Sequence, residues 1–375
     1  TEAMELRDLP HRPIFVDTEF IPQDDGSQIP VALVARCGWS GEVWRRMAQE
    51  IGDRPFFPSG PDTAMWAHNA PAELETYRAL GWPWPENIID TMAEHLRITN
   101  GLPARALRGV DPTKRAGLLA ALRCWGIHAR SAEEKRGMID LILRGGPYTS
   151  EESRAILDYC QEDTDDTLDL GRVLLRQMEP KDISGALIRG RYGKALADFS
   201  RNGMPVDVEM HDAVVAGWDD IRRALIDSVS AFGVFENYKF SMSAFEHLLA
   251  QVGADDVWPM TKGGKLRSTE EKVLRDMGDA FPILDPLCTA MVSLGQMKKT
   301  RPLAIGPDGR ARLGKRDLAY RRLGLGQDEG DQGSVGWGAF RSRTGRNQPG
   351  AKEFLMLRAN WWRSMIAPPP GRVLL

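Results

Sequence analysis

The chain is poor in paired sulfur, in histidine and in long apolar runs. Its four cysteines, Cys37, Cys124, Cys160 and Cys288, are spread over 375 residues with no C-x-x-C pair. That spacing excludes a zinc knuckle and a disulfide framework, and it fits a reducing, intracellular setting. The six histidines are scattered and no H-E-x-x-H spacing occurs, so a zinc-protease helix is absent. No G-x-S-x-G occurs either. The stretch "TKGGKLRST" lacks a glycine five positions before Gly264 and has Leu266 where Ser or Thr should follow Lys265, which removes a phosphate-binding loop. Gly324, Gly326, Gly330 and Gly333 follow no strand, so a dinucleotide fingerprint is unsupported. No apolar run approaches the roughly 20 residues of a membrane span, and the start "TEAMELRDLPHRP" has no signal core.

What is present is an ordinary globular balance, 42% hydrophobic and 27% charged, in a chain long enough for two or three domains. The charge is uneven. Residues 301–375 hold 14 Lys and Arg against 6 Asp and Glu, while residues 1–300 hold 35 against 46. A basic C-terminal part on an acidic body suits a polyanion partner, or a solvated Arg-rich face.

The first half alternates strand-like and helix-like pieces. "IFVDTEF", "VALVARCGW" and "TAMWAHN" read as strands. "PAELETYRALG" reads as a helix stopped at Gly81, "NIIDTMAEHLRI" as a strand end feeding a helix, and "EEKRGMIDLILRG" as another helix closed by glycine. A long helix begins at Thr149 or Ser150, with Glu residues behind the cap and Ile156, Cys160, Thr164 and Leu168 at helical spacing. This half is α/β in character. Near residue 182 the texture changes to long helical patterns, including "VEMHDAVVAGWDDIRRALIDSVSAFG". "LGLGQDEGDQGSVGWG" reads as a loop.

Three acidic groupings stand out. Asp17 and Glu19 follow the apolar run Ile14–Val16, and i,i+2 residues of a strand share a face. Two carboxylates side by side need a cation, or a turn that takes both to water. Tyr159 and Asp163 are four apart on the long helix and share its face, as would befit either a buried phenol with its partner or a solvated acidic stripe. In "AHNAPAELE", His68 and Asn69 end a strand-like piece and Glu73 and Glu75 follow on a helix, pointing to different faces. Asn69 as a helix cap, with both glutamates in the first turn, is the structural alternative.

Taken together, strand D-x-E, then H-N-x-x-x-E, then helical Y-x-x-x-D resembles the four-carboxylate, tyrosine-containing 3′–5′ proofreading exonuclease domain of DNA polymerases. The resemblance covers about residues 10–180 and implies an RNase H-like mixed sheet flanked by helices. It implies two divalent ions, Mg²⁺ with Mn²⁺ as a substitute, about 3.5–4 Å apart and held by hard carboxylate oxygens. Asp17 would bridge both ions, Glu19 and Asp163 would complete the first, Tyr159 would orient the attacking water and Glu73 would hold the second. Thr18, His68 and Asn69 would contact the terminal nucleotide. The family commonly has an aromatic residue before an Asp where this chain has Ala72 and Glu73.

The second half is similar to phage-type family A DNA polymerases. "RGRYGKALADFSRNGMPVD" resembles the segment joining exonuclease to thumb, "WPMTKGGKLRSTEEKVL" the thumb, and "IGPDGRAR", "FRSRTGRNQPG" and "WWRSMIAPPPGRVLL" the approach to the palm. Arg343, Thr344 and Arg346 would then meet primer–template backbone and groove. The expectation is an exonuclease domain over residues 1–182 and a mostly helical thumb with the start of a palm over residues 183–375. The catalytic palm motifs would lie beyond Leu375, supplied by the rest of the same chain or by a second polypeptide. DNA is the expected partner, with no membrane, in the cytoplasm of a bacterial or phage-infected cell. Rival readings are a stand-alone RNase or exonuclease of the same fold, and a DNA-binding module whose acidic site is silent.

Overall fold

The computed structural model describes residues 3–23, 27–112, 114–129, 132–202, 204–205, 207–261 and 263–299, with positions 310–311, 340, 342, 345–347, 366–367 and 371. The chain forms two compact units, Thr1–Met204 with Gly306–Gly350, and Pro205–Ile305 with Ala351–Leu375.

The first unit is built on a mixed five-stranded sheet. Its strands are β1 (Arg12–Pro22), β2 (Gln28–Cys37), β3 (Val43–Met47), β4 (Thr63–Ala67) and β5 (Asn87–Asp90), in the order β3-β2-β1-β4-β5. β1 and β2 are antiparallel, as are β2 and β3, while β4 runs parallel to β1 and β5 parallel to β4. β4 and β5 are buried along their whole length, as parallel strands covered on both faces must be. β3 carries Arg45 and Arg46 and forms an edge. It went unread in the sequence because its charges mask the alternation, and charge on an edge strand protects it from further pairing.

Helices α1 (Pro71–Ala79), α2 (Thr91–Thr99), α3 (Leu118–Trp125), α4 (Ala132–Arg144), α5 (Ser150–Leu175) and α6 (Pro180–Asn202) surround the sheet. The pleat divides the core in two. Ile14, Val16, Leu33 and Met65 pack with Leu74 and Tyr77 of α1, while Phe15, Trp66 and Ile89 pack with Leu168 and Leu175 of α5. Thr149 caps α5 by a reciprocal pair of bonds with Glu152. Arg189 of α6 makes two bonds to the fully buried Glu94 of α2, at 2.5 and 2.8 Å. These contacts carry the compact unit through to Met204 rather than to residue 182, because α6 lies against β5 and α1. Ser342, in the "FRSRTGRNQPG" stretch, also belongs to this unit, its carbonyl accepting from Asn100 Nδ2 at 2.8 Å.

The second unit is mostly helical: α7 (Val208–Ala216), α8 (Trp218–Asp227), α9 (Met242–Gln251), α10 (Glu271–Ala280) and α11 (Asp285–Lys299). The single long helix expected from Val208 onward is broken at Gly217, which ends α7 and opens α8. The core gathers Phe245, Leu249, Trp258, Leu274, Leu284 and Leu287, with the Phe245 and Trp258 rings edge to face at 5.2 Å. The glycines of "TKGGKLR" lie in a turn where Thr261 N–H donates to Leu266 O, with Gly264 at φ +65°. No helix among the described residues is long and apolar enough to cross a membrane.

Candidate active site

Asp17 and Glu19 leave the buried part of β1 on the face that α5 covers. The register of β1 against β2 shifts between Glu19 and Phe20, just past the second acid. From α5 the Cys160 thiol reaches both the Oδ2 and the carbonyl oxygen of Asp17, each at 3.3 Å. One ligand atom from each of Asp17, Glu19 and Cys160 falls within 4.8 Å of the others. No other such group of three forms among the described residues.

Asp163 is one turn beyond Tyr159 on α5, and both are buried. Burial first, then the charges of Asp17, Glu19 and Asp163, raise the Cys160 thiol well above its ordinary pKa. The three acids therefore share one electrostatic neighbourhood. Lys135 of α4 reaches it from the other side, with Nζ 3.2 Å from Asp163 Oδ2 and 5.9 Å from the centroid of the Tyr159 ring.

Glu73, in the first turn of α1, is 4% exposed, and its Oε2 has no hydrogen-bond partner. Burial raises its pKa well above the carboxylate range, followed by the charge of Asp17 and then those of Asp90 and Glu19. Carboxylates from three distant segments thus act on one another electrostatically, and the charge they build up is of the kind a divalent cation relieves. The donor set is chiefly hard oxygen, which fits Mg²⁺ or Mn²⁺. Glu75 points elsewhere, to Arg78 at 3.4 Å.

A residue the motif reading passed over sets the position of Glu73. Asp90, at the end of β5, accepts from the N–H groups of Met92 and Ala93 and so caps α2. It also accepts from the N–H groups of Asn69 and Ala70, at 3.0 and 3.1 Å, just before α1. Burial lifts its pKa to about 6 against the pull of these four donors. Asn69 does not cap α1: the N-cap is Ala70, with no side-chain bond, and Asp90 instead holds the two residues before the helix. Asn69 itself holds a left-handed backbone at φ +74°, a conformation Asn tolerates better than most residues. A strand ending in Asp before a helical pattern was the available signal for Asp90.

The other expected contacts fare differently. His68 Nε2 lies 2.8 Å from the Ala116 carbonyl and Nδ1 3.1 Å from Thr91 Oγ1. Burial, with the charge of Lys135, lowers its pKa to about 4. Thr18, expected to contact the nucleotide, has its side chain 5% exposed and bonded to Thr76 Oγ1 at 3.1 Å, on the α1 face of the sheet. Alternation along β1 dictates that outcome. Arg346 is exposed, with its N–H bonded to Ser342 Oγ at 2.7 Å. Arg343 and Thr344 lie outside the described residues. Lys135 and Cys160 were not read as site residues, because a lysine in a helix and a cysteine in an apolar stripe carry no pattern of their own.

No protein-family model matches the sequence, and no curated protein matches it. Among solved structures, the POL domain of Pol1 from M. smegmatis, in complex with DNA primer-template and dNTP, aligns at a TM-score of 0.45 and 15% identity. The alignment covers 81% of this chain and 49% of that one, so the chain spans about half the length of that structure.

Proposed function

We propose that the first unit is a metal-dependent 3′–5′ exonuclease acting on DNA, of the RNase H-like kind, within a family A DNA polymerase. The carrying observation is the side-by-side placement of Asp17 and Glu19, whose charges act on the buried Glu73 and, with that of Asp163, on Cys160, with one Glu73 oxygen left without a hydrogen-bond partner. The mixed sheet flanked by helices agrees with that reading. In the same proposal, part of residues 183–375 serves as thumb and palm approach, and Arg343, Thr344 and Arg346 contact the DNA backbone.

Asp17, Glu19 and Asp163 would hold one divalent ion, and Glu73 with Asp17 a second. When bound, such ions supply Lewis acidity toward water and the phosphate oxygens. The protein's own part is placement. β1 carries Asp17 and Glu19 on one face, α5 carries Asp163, and Asp90 holds Asn69 and Ala70 just before the turn that carries Glu73. Tyr159, buried one turn from Asp163, would hydrogen-bond the attacking water with its hydroxyl. Lys135 adds a positive charge beside Asp163, on the side from which a phosphate would be attracted.

The test is release of a 3′-terminal label from single-stranded DNA, with Mg²⁺ or Mn²⁺ and with chelator. Activity should need the ion, and Asp17→Ala should lower it by more than about 100-fold. Full activity in Asp17→Ala, or in chelator, would end the proposal. An RNA strand of equal length in parallel separates a DNA-directed enzyme from a ribonuclease.

A further inference from the structure

We propose that a cleft at the opposite end of β1 from the acidic pair binds a nucleoside phosphate, with the base stacked on Trp39 and the phosphate held by Arg172 and Arg176. The inference does not rest on the nuclease reading and uses none of its residues.

The cleft has a volume of about 380 Å³, within the range of small-ligand sites. Three segments of the first unit line it: the N-terminal turn with Leu6 and Arg7, the β2–β3 hairpin with Trp39, and the C-terminal end of α5 with Arg172 and Arg176. Gly38 N–H donates to the Pro13 carbonyl at 2.8 Å, which places the hairpin beside the start of β1. From Pro13 to Asp17 the strand advances about 13 Å. From Asp163 to Arg172 α5 advances about 13 Å as well. Both elements therefore set the cleft well clear of the acids.

The indole of Trp39 is held by its edge. Its Nε1–H donates to the Leu6 carbonyl at 2.7 Å, yet the residue is 46% exposed. No ring or guanidinium among the described residues stacks on it. A tryptophan fixed in orientation, with surface left to solvent, is a platform for a base, which brings a flat π-face of its own. Beside it stand Arg7, Arg172 and Arg176 against one carboxylate, Glu5, in the lining. Arg172 and Arg176 are four apart at the end of α5 and share a face. Arg7 is paired with Glu5 and Arg172 with Asp169, each at 3.0 Å, while Arg176 has no ion pair among the described residues. Exposed pairs of this kind contribute little, so a phosphate can draw Arg172 away from Asp169 at small cost. The guanidinium fork meets phosphate oxygens two at a time. An aromatic platform next to this positive charge selects a ligand that carries both a flat ring and a phosphate.

The probe is deoxyadenosine monophosphate, with deoxyadenosine and inorganic phosphate as separate arms. Each is titrated calorimetrically into the whole chain in the presence of chelator, so that no metal links the ligand to the acids. Wild type should bind the nucleotide more tightly than either fragment. Trp39→Ala should weaken nucleotide and nucleoside alike by at least about fivefold, and Trp39→Phe should retain most of the binding. Arg176→Ala should weaken the nucleotide by at least about fivefold and leave the nucleoside as in wild type. Circular dichroism checks folding, and Arg176→Ala, at an exposed position, carries the test where Trp39→Ala does not fold. The proposal is overturned if wild type binds no nucleotide at millimolar concentration, or if nucleotide affinity is unchanged in the folded variants. It is also overturned if inorganic phosphate binds as tightly as the nucleotide, which marks an anion patch only.

Discussion

A Cβ added to Gly190 would lie 1.9 Å from the carbonyl oxygen of Ile88. Helix α6 therefore packs its backbone directly on β5, with no room for any side chain at the contact. Ile88 lies two residues before Asp90 on β5, so this contact supports the strand that carries the clamp.

Gly190→Ala must push α6 off the sheet. A loss of about 3 kcal/mol is expected in denaturant unfolding. Gly193→Ala, on the same helix, meets nothing closer than the Pro71 ring at 3.8 Å. It should be neutral or stabilising by up to about 1 kcal/mol. Equal effects at the two positions would show that the close approach is wrong.

Asp90→Asn replaces one acceptor oxygen with a donor that faces backbone N–H groups. A loss of about 2–3 kcal/mol is expected. Because two of the four bonds fix Asn69 and Ala70, nuclease activity should fall more than stability alone explains. A variant as active per folded molecule as wild type would detach Asp90 from the site.

Lys135→Met removes the cation 3.2 Å from Asp163. If Asp163 binds metal, removing the competing charge should tighten Mn²⁺ binding, by about 1 kcal/mol or roughly fivefold. Calorimetric titration of both proteins decides it, and unchanged or weaker binding would remove Asp163 from the ligand set.

The buried imidazoles should each withdraw stability on mild acidification, while Asp90 and Glu73, whose pKa values burial raises, pull the other way. Burial lowers His68 to about 4 and His95 to about 3, against an ordinary 6.5. Trp125 Nε1–H donates to His95 Nδ1 at 3.0 Å, which requires that nitrogen to be unprotonated. Between pH 6.5 and 4 the unfolded chain binds these protons and the folded chain does not. The stability is fully present above pH 6.5 and is lost as pH drops toward 4, by about 3 kcal/mol for His68 alone. Thermal melts from pH 7.5 to 4.5 compare the pH slope of stability in wild type and His95→Gln, and the variant should lose less on acidification. Identical slopes contradict the burial of the His95 ring.

The sequence made much of this visible. Strands β1, β2, β4 and β5 follow from apolar runs, and α5 from its Thr149 cap and helical spacing. The side-by-side placement of Asp17 and Glu19 follows from strand periodicity alone. What stayed hidden was non-local. That Asp90 caps α2 and also holds Asn69 and Ala70 before α1 depends on β5 lying beside β4, which no window of sequence reports. The meeting of Cys160 with Asp17 spans 143 positions and reads locally as a buried thiol in an apolar stripe. The place of α6 in the first unit depends on Gly190, a residue that lowers helix propensity and gave no sign of a packing role.

Strand β1 is the middle strand of the five, bonded to β2 on one side and β4 on the other. Amides in such a strand exchange with deuterated solvent only when the whole domain opens, while peripheral helices open earlier. Asp17 and Glu19 lie past the end of that double pairing: β4 partners β1 only from Arg12 to Phe15, and β2 alone holds the acid pair, so their amides should exchange sooner than that of Phe15.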